Sequence, residues 1–181
     1  MKQFFLSAFI AIIVLSCNET ADSNNTNGKD STDADNSTAL YNVSDQIYKG
    51  METGDSALLR QYVSDDAVDH AANMDGSDMK GAAVISMLSS VKKHVPNINV
   101  EVLKQASNED HVFALVHMTG TVETPFWGMP AGHKMDSKSV DIIRIKDGKA
   151  VDHWGFLDQA EVMKMMQGGN TNKPATDTTK R

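Results

Sequence analysis

Cysteine is almost absent: Cys17 is the one thiol in 181 residues. Its isolation excludes a disulfide framework, a thiolate metal site and a cysteine nucleophile in any domain downstream of it. Aromatic residues make up only 6% of the chain and are not interleaved with basic runs, so no nucleic-acid surface is expected. Positive charge is in deficit, leaving a formal net charge of −7, part of it in a polar stretch near the N-terminus. There is no Gly-rich phosphate loop, no Gly-x-Ser-x-Gly elbow and no dinucleotide fingerprint. Phosphoryl transfer and serine hydrolysis therefore have no support. No internal repeat is present, and the only long apolar run lies at the start of the chain.

That run defines the N-terminal organisation. Lys2 precedes the almost wholly apolar stretch Phe4 to Leu15. A membrane-spanning helix needs about 20 such residues, so this length fits the core of a signal peptide. It closes on Val14-Leu15-Ser16-Cys17, which resembles a bacterial lipobox, in which the cysteine is lipidated and becomes the new N-terminus. A cleaved secretory signal with an incidental cysteine is the alternative. The position of Cys17, right where the apolar run ends, favours the anchor. The expectation is a lipoprotein signal over 1–17 and export to the bacterial cell envelope, with a lipid anchor as the only membrane contact. Asn18 to Thr38 carries five acids against Lys29 and no large aliphatic residue. Such a segment buries too little apolar area to offset ordering entropy, so 18–38 is expected to be a disordered tether. Residues 168–181 read as a similar polar tail, which leaves one domain of ordinary size over 39–167.

Within the domain, Leu40 to Met51 has helical spacing, Ser56 to Tyr62 reads as a short helix, and Lys80 to His94 reads as a third helix ahead of Pro96. The period then changes to two. Strands are expected around Ile98 to Val102, over His111 to Val122, Lys134 to Lys146 and Lys149 to Leu157, with a Gly/Pro bend at Pro125 to Gly132. Asp147-Gly148 between the last two is a strong hairpin signal. Glu161 to Gln167, with Val162, Met165 and Met166, reads as a closing helix, on which Met163, Met165 and Met166 are expected to pack. Helices followed by a run of strands indicate an α+β domain. The expected form is a cone-shaped, curved antiparallel sheet wrapped around the N-terminal helices, with a cavity at its wide end.

Several motifs occur in order along this domain: Asp69-His70 with Gly76 and Gly81, His94-Val-Pro-Asn97, Gly120-Thr121, and Phe126-Trp127-Gly128-Met129-Pro130-Ala131-Gly132-His133-Lys134. Arg144-Ile-Lys-Asp-Gly-Lys149, Asp152-His153-Trp154 and Asp158 follow. Together they resemble the SnoaL-like polyketide cyclase, or ester cyclase, family of the nuclear transport factor two-like (cystatin-like barrel) superfamily, over about Ser64 to Met166. The resemblance implies a cone with a deep apolar pocket, an apolar small-molecule ligand and acid/base chemistry without a cofactor. It also implies a homodimer formed through exposed sheets. In the cyclase members a carboxylate removes a proton beside a carbonyl and the enolate closes a ring. That carboxylate maps onto Asp158. Asp152 stands where the family more often has glutamate, Val95-Pro96-Asn97 lacks the usual Phe and Asp, and His117 departs from the family's usual strand residues.

The candidate residues each have two readings. Asp158 is a general base beside Trp154 and Phe156, or the N-cap of the closing helix. His153 is a proton shuttle, or a structural histidine that alternation places opposite Trp154. His70 contacts ligand or closes a loop. His117 shares a strand face with His111 and is the better pocket candidate. Trp127 and Met129, in the bend, form an apolar lid or simple rim packing. Trp154 and Phe156 are expected to line the pocket. Arg144 is expected to form a buried ion pair, and Asp141 to point to the opposite face from it. No His-x-His or His-x-x-x-His pair supports a metal site. Two functions remain: a cyclase-, isomerase- or hydratase-like enzyme, or a non-catalytic envelope protein that binds an apolar ligand or a partner.

Overall fold

The computed structural model describes residues 27–70, 72–73, 75–160 and 163. The expected signal segment, Cys17, the first part of the tether, the 168–181 tail and most of the closing helix, with Val162, Met165 and Met166, lie outside the described residues. Met163 is described and is 49% exposed.

The first helix, α1, runs Asn27–Thr53 and so begins within the stretch expected to be an unstructured tether. Its polar residues gain partners there. The Asn36 side chain donates to the Glu109 carbonyl at 3.1 Å, and Ser107 Oγ lies 2.9 Å from Ser37 Oγ. Composition alone did not reveal this docking, which supplies contacts that an isolated polar segment lacks. Leu40, Val43, Ile47, Tyr48 and Met51 form the buried stripe, at the spacing read from the sequence. Gly54 turns the chain with a φ of 71°, and Asp55 then caps α2 (Ser56–Tyr62), accepting from the Ala57 and Leu58 amides at 2.9 Å each. The third helix, α3, spans Ala82–His94 and buries Val84, Ile85 and Val91.

Six strands form one sheet: β1 (Val63–His70), β2 (Met79–Lys80), β3 (Asn99–Asn108), β4 (His111–Thr121), β5 (Lys134–Lys146) and β6 (Lys149–Leu157). Their order is β2-β1-β6-β5-β4-β3. The fold is α+β, as expected, but the sheet is mixed and open rather than an antiparallel barrel. β1 and β6 run parallel, because β1 leaves α2 at the same end at which β6 leaves its hairpin turn, with Val63 opposite Ala150. The Asp147-Gly148 turn joins β5 to β6 with φ values of 52° and 75°, the left-handed pair that a two-residue hairpin requires. The Gly/Pro bend is a loop between β4 and β5.

A single irregularity determines which β6 side chains face inward. Arg144 pairs with Asp152 but Ile145 pairs with Ala150, so Val151 is an extra residue, a β-bulge. Beyond the bulge the alternation is reversed from what the sequence predicts. His153, Gly155 and Leu157 join Ala150 on the inner face; Trp154 and Phe156 are outside the cavity wall, and Asp152, which borders the cavity, turns its carboxylate to Arg144 on the other face. β5 has no such interruption inside the cavity, so Met135, Ser137, Ser139, Asp141, Ile143 and Ile145 all face inward and are buried.

Candidate functional site

The inner face of the sheet and the helices enclose a cavity of about 530 Å³, a size that suits a small ligand. Most of its wall is apolar: Met51, Val84, Leu88, Met118 and Met135 contribute, and Trp127 and Met129 reach in from the β4–β5 loop. That loop is held as a tight turn by reciprocal backbone bonds between Phe126 and Met129, at 3.1 and 2.8 Å. Trp127 adopts a φ of 49° there, a left-handed conformation that is costly for a bulky residue. Phe126 stacks on His94 and is in ring contact with Trp127, bracing the turn.

One part of the cavity wall is polar. Asp69 on β1 and His153 on β6 are register partners across the parallel pair, and His153 Nδ1 lies 2.7 Å from Asp69 Oδ1. A carboxylate in that position holds the proton on Nδ1 and turns Nε2 toward the cavity. Asp141 on β5 comes within 4.0 Å of Nε2. Asp141 also accepts hydrogen bonds from Tyr48 Oη and Ser139 Oγ, both at 3.0 Å. Both aspartates are buried. An unpaired buried carboxylate is costly, and each of these has the imidazole as a neighbour.

The electrostatics follow from this arrangement. Burial opposes a charged imidazole, but Asp141 and then Asp69 outweigh it, and the His153 pKa is pushed up to about 9. A third of the His153 side chain is open, and it opens onto the cavity. Burial pushes the Tyr48 phenol far above its ordinary range, and the adjacent Asp141 charge adds to the effect, so Tyr48 remains a hydrogen-bond donor. At neutral pH the cluster is an imidazolium between two carboxylates, with a neutral phenol behind one of them.

The candidates named from sequence are scattered relative to this cluster. His153, Trp127 and Met129 line the cavity. His70 contributes to the wall, but its ring belongs to the outer side. It stacks on Trp154 at 4.5 Å and bonds to Asp152 at 2.9 Å. Burial would raise the Asp152 pKa, but His70 and Arg144 outweigh it and hold this carboxyl below its usual range. Arg144 does pair, with Asp152, but the pair is partly exposed rather than buried. Trp154 and Phe156 do not line the cavity, because the bulge turns them outward; Phe156 is 56% exposed. His117 is also outside, 2.7 Å from Asp136, since Val116 and Met118 take the inward positions of β4.

Asp158 is exposed and does not line the cavity. Its carboxylate accepts from the Ala160 amide at 2.7 Å, which is the helix-capping reading of this residue. The titratable groups in the cavity wall thus include Asp69, His153 and Asp141, and not Asp158. Tyr48 and Ser139 were not singled out from the sequence, and Asp69 and Asp141 entered only as a motif residue and a strand residue, not as site candidates. A signal for Asp141 was present: a carboxylate in phase with Met135, Ile143 and Ile145, and with Ser137 and Ser139, on a strand face that two-residue alternation buries. Among the described residues, no group of three or more His, Cys, Asp or Glu is arranged to hold a metal ion.

Residues 40–166 match the SnoaL-like polyketide cyclase family. No curated protein matches the chain at a significant level. Solved structures share the fold at low sequence identity. IdmH from Streptomyces antibioticus is 20% identical with a TM-score of 0.58, over 71% of this chain and 98% of that one. TsrD from Streptomyces laurentii is 16% identical with a TM-score of 0.62, over 72% and 96%. A SnoaL-like polyketide cyclase from Agrobacterium tumefaciens is 15% identical with a TM-score of 0.59, over 70% and 97%.

Proposed function

The chain belongs to the SnoaL-like polyketide cyclase family, and we propose that its cavity binds an apolar, uncharged carbonyl compound and performs cofactor-free acid/base chemistry on it. The observation that carries this reading is the Asp69–His153–Asp141 cluster in the wall of an apolar cavity. Two carboxylates and one imidazolium leave a net negative charge, which disfavours an anionic ligand.

The chemistry runs as a proton transfer. A ligand carbonyl oxygen accepts a hydrogen bond from His153 Nε2–H. Asp141 takes a proton from the carbon next to that carbonyl. The C–H electron pair forms the new carbon–carbon π bond, the carbonyl π pair moves to oxygen, and the imidazolium stabilises the resulting enolate. Where the ligand is β,γ-unsaturated the enolate is a dienolate, and return of the proton to its γ-carbon gives isomerisation. Attack of the enolate carbon on a second carbonyl of the same molecule gives ring closure, with the proton passing to the new alkoxide. Asp69 orients the ring and supports its charge, and Tyr48 and Ser139 fix the Asp141 carboxylate.

The test is deuterium exchange from D₂O into 2-tetralone, a neutral apolar ketone with acidic methylene protons. The reading expects exchange above the buffer rate, lost in His153→Gln and in Asp141→Asn. Wild-type exchange at the buffer rate would contradict it, and the chain would then be a binding protein only.

Two further parts of the proposal concern context. The lipobox-like Val14-Leu15-Ser16-Cys17 supports a lipid-anchored envelope protein. Palmitate labelling that persists in Cys17→Ser would contradict that anchor. Phe113, Val140 and Phe156 are exposed on the outer face, with Val140 directly opposite Phe156, and this supports pairing of two copies across that face.

A further inference from the structure

Gly155 lies on the inner face of β6 between His153 and Leu157, directly opposite Asp141 in the β5–β6 ladder. Glycine within a strand is unfavourable by about 0.5–1 kcal/mol relative to alanine, so its presence calls for a cause. Backbone strain is not the cause, because Gly155 is not among the glycines with positive φ. Crowding is not the cause either. A β-carbon placed there would be 3.4 Å from His153 Cε1, 3.8 Å from His153 Nε2 and 3.9 Å from Asp141 Oδ1, all ordinary contact distances. The position would therefore accept a methyl group, and that methyl would touch both the imidazole and the Asp141 carboxylate.

The geometry points to Gly155 as a specificity-determining clearing: its missing side chain leaves the space in which the reacting carbon of the substrate lies between His153 and Asp141. The inference rests on the proposed acid/base reading and sharpens its substrate class. With His153 Cε1, His153 Nε2 and Asp141 Oδ1 only 3.4–3.9 Å from that point, an unbranched methylene beside a carbonyl fits there, and an alkyl branch directed at the sheet would meet these atoms. Gly155 would thus act by positioning the substrate, without itself touching a proton in flight.

The test uses Gly155→Ala in the full chain with two readouts. The first is the His153 Cε1–H resonance on titration with 2-tetralone. The second is deuterium exchange into 2-tetralone and into its 1-methyl derivative. The variant is expected to keep the wild-type melting temperature and His153 titration, since alanine fits without strain. 2-Tetralone should shift the His153 resonance in the wild type, and Gly155→Ala should need a concentration at least about tenfold higher, the effect of one misplaced methylene in a pocket. KM for exchange should rise with it, and exchange at the branched carbon of the 1-methyl compound should be slow already in the wild type. Equal His153 shifts in both proteins, or no shift in the wild type, would overturn the clearing. Absence of exchange with the contrast in shifts retained would sink the acid/base reading and leave the clearing standing.

Discussion

The two faces of this sheet carry the same pair of residues and differ in what those pairs can do. On the inner face His153 lies 2.7 Å from Asp69; on the outer face His117 lies 2.7 Å from Asp136. Each imidazole also has a second carboxylate, Asp141 at 4.0 Å inside and Glu101 at 3.9 Å outside, but the outer acids are 82% and 63% exposed and the inner ones 8% and 12%. Water screens a surface pair and leaves it little net energy. In the cavity wall, screening is weaker, the ring stays charged near neutrality, and its Nε2, beside Asp141, borders a space where a ligand fits. Contact distance does not distinguish the two pairs; the side of the sheet does.

Exchanging each histidine for glutamine is the sharpest way to break this comparison. His153→Gln should slow exchange into 2-tetralone by at least about 100-fold, the scale of general acid/base catalysis, while His117→Gln should leave it unchanged. Equal losses in both would end the distinction. The next effect is on the pH dependence of stability. The His153 pKa of about 9 in the folded protein exceeds its ordinary 6.5. The folded state therefore binds this proton more tightly than the unfolded chain does. The resulting stabilisation is complete below about pH 6.5 and is lost as pH rises through 9. Thermal melts from pH 6 to 10 should show that fall in the wild type and a flatter curve in His153→Gln. Tyr48→Phe removes one buried hydrogen bond to Asp141 and should cost about 1–2 kcal/mol in urea unfolding, with a loss below a few tenths contradicting the role assigned to it. The smallest effect on activity belongs to the outer face. In light scattering the wild type is expected to run as a dimer and Phe156→Ser as a monomer, with exchange at the same rate in both; a monomeric wild type would contradict the proposed pairing.

Most of the fold was legible because it depends on local pattern. The Leu40 to Met51 stripe, the Asp147-Gly148 turn and the two-residue period of β5 each specify an element within a short window. The helical docking of Asn36 and Ser37 onto the β3–β4 turn was not legible, because its partners are some seventy residues away. The site was legible only in part, and one residue accounts for much of the difference. Strict alternation groups Asp152, Trp154 and Phe156 with Ala150. The bulge at Val151 inverts that assignment, bringing His153 into the cavity and turning the aromatic residues out. Asp158 was read both as a cap and as a base, because a carboxylate just before a helix fits both roles in sequence; the structure shows the capping contact and leaves the carboxylate outside the cavity wall. Asp141 was assigned to the opposite face from Arg144, as the structure has it, yet its place facing the cavity emerges only once β1, β5 and β6 are side by side.

The central claim is that the inner-face imidazole is held charged between two carboxylates in the cavity wall. An NMR titration of the His153 ring tests it most directly. The expected midpoint is about 9, falling toward 6.5 in Asp141→Asn. A wild-type midpoint near 6.5, unchanged by that substitution, would contradict the claim.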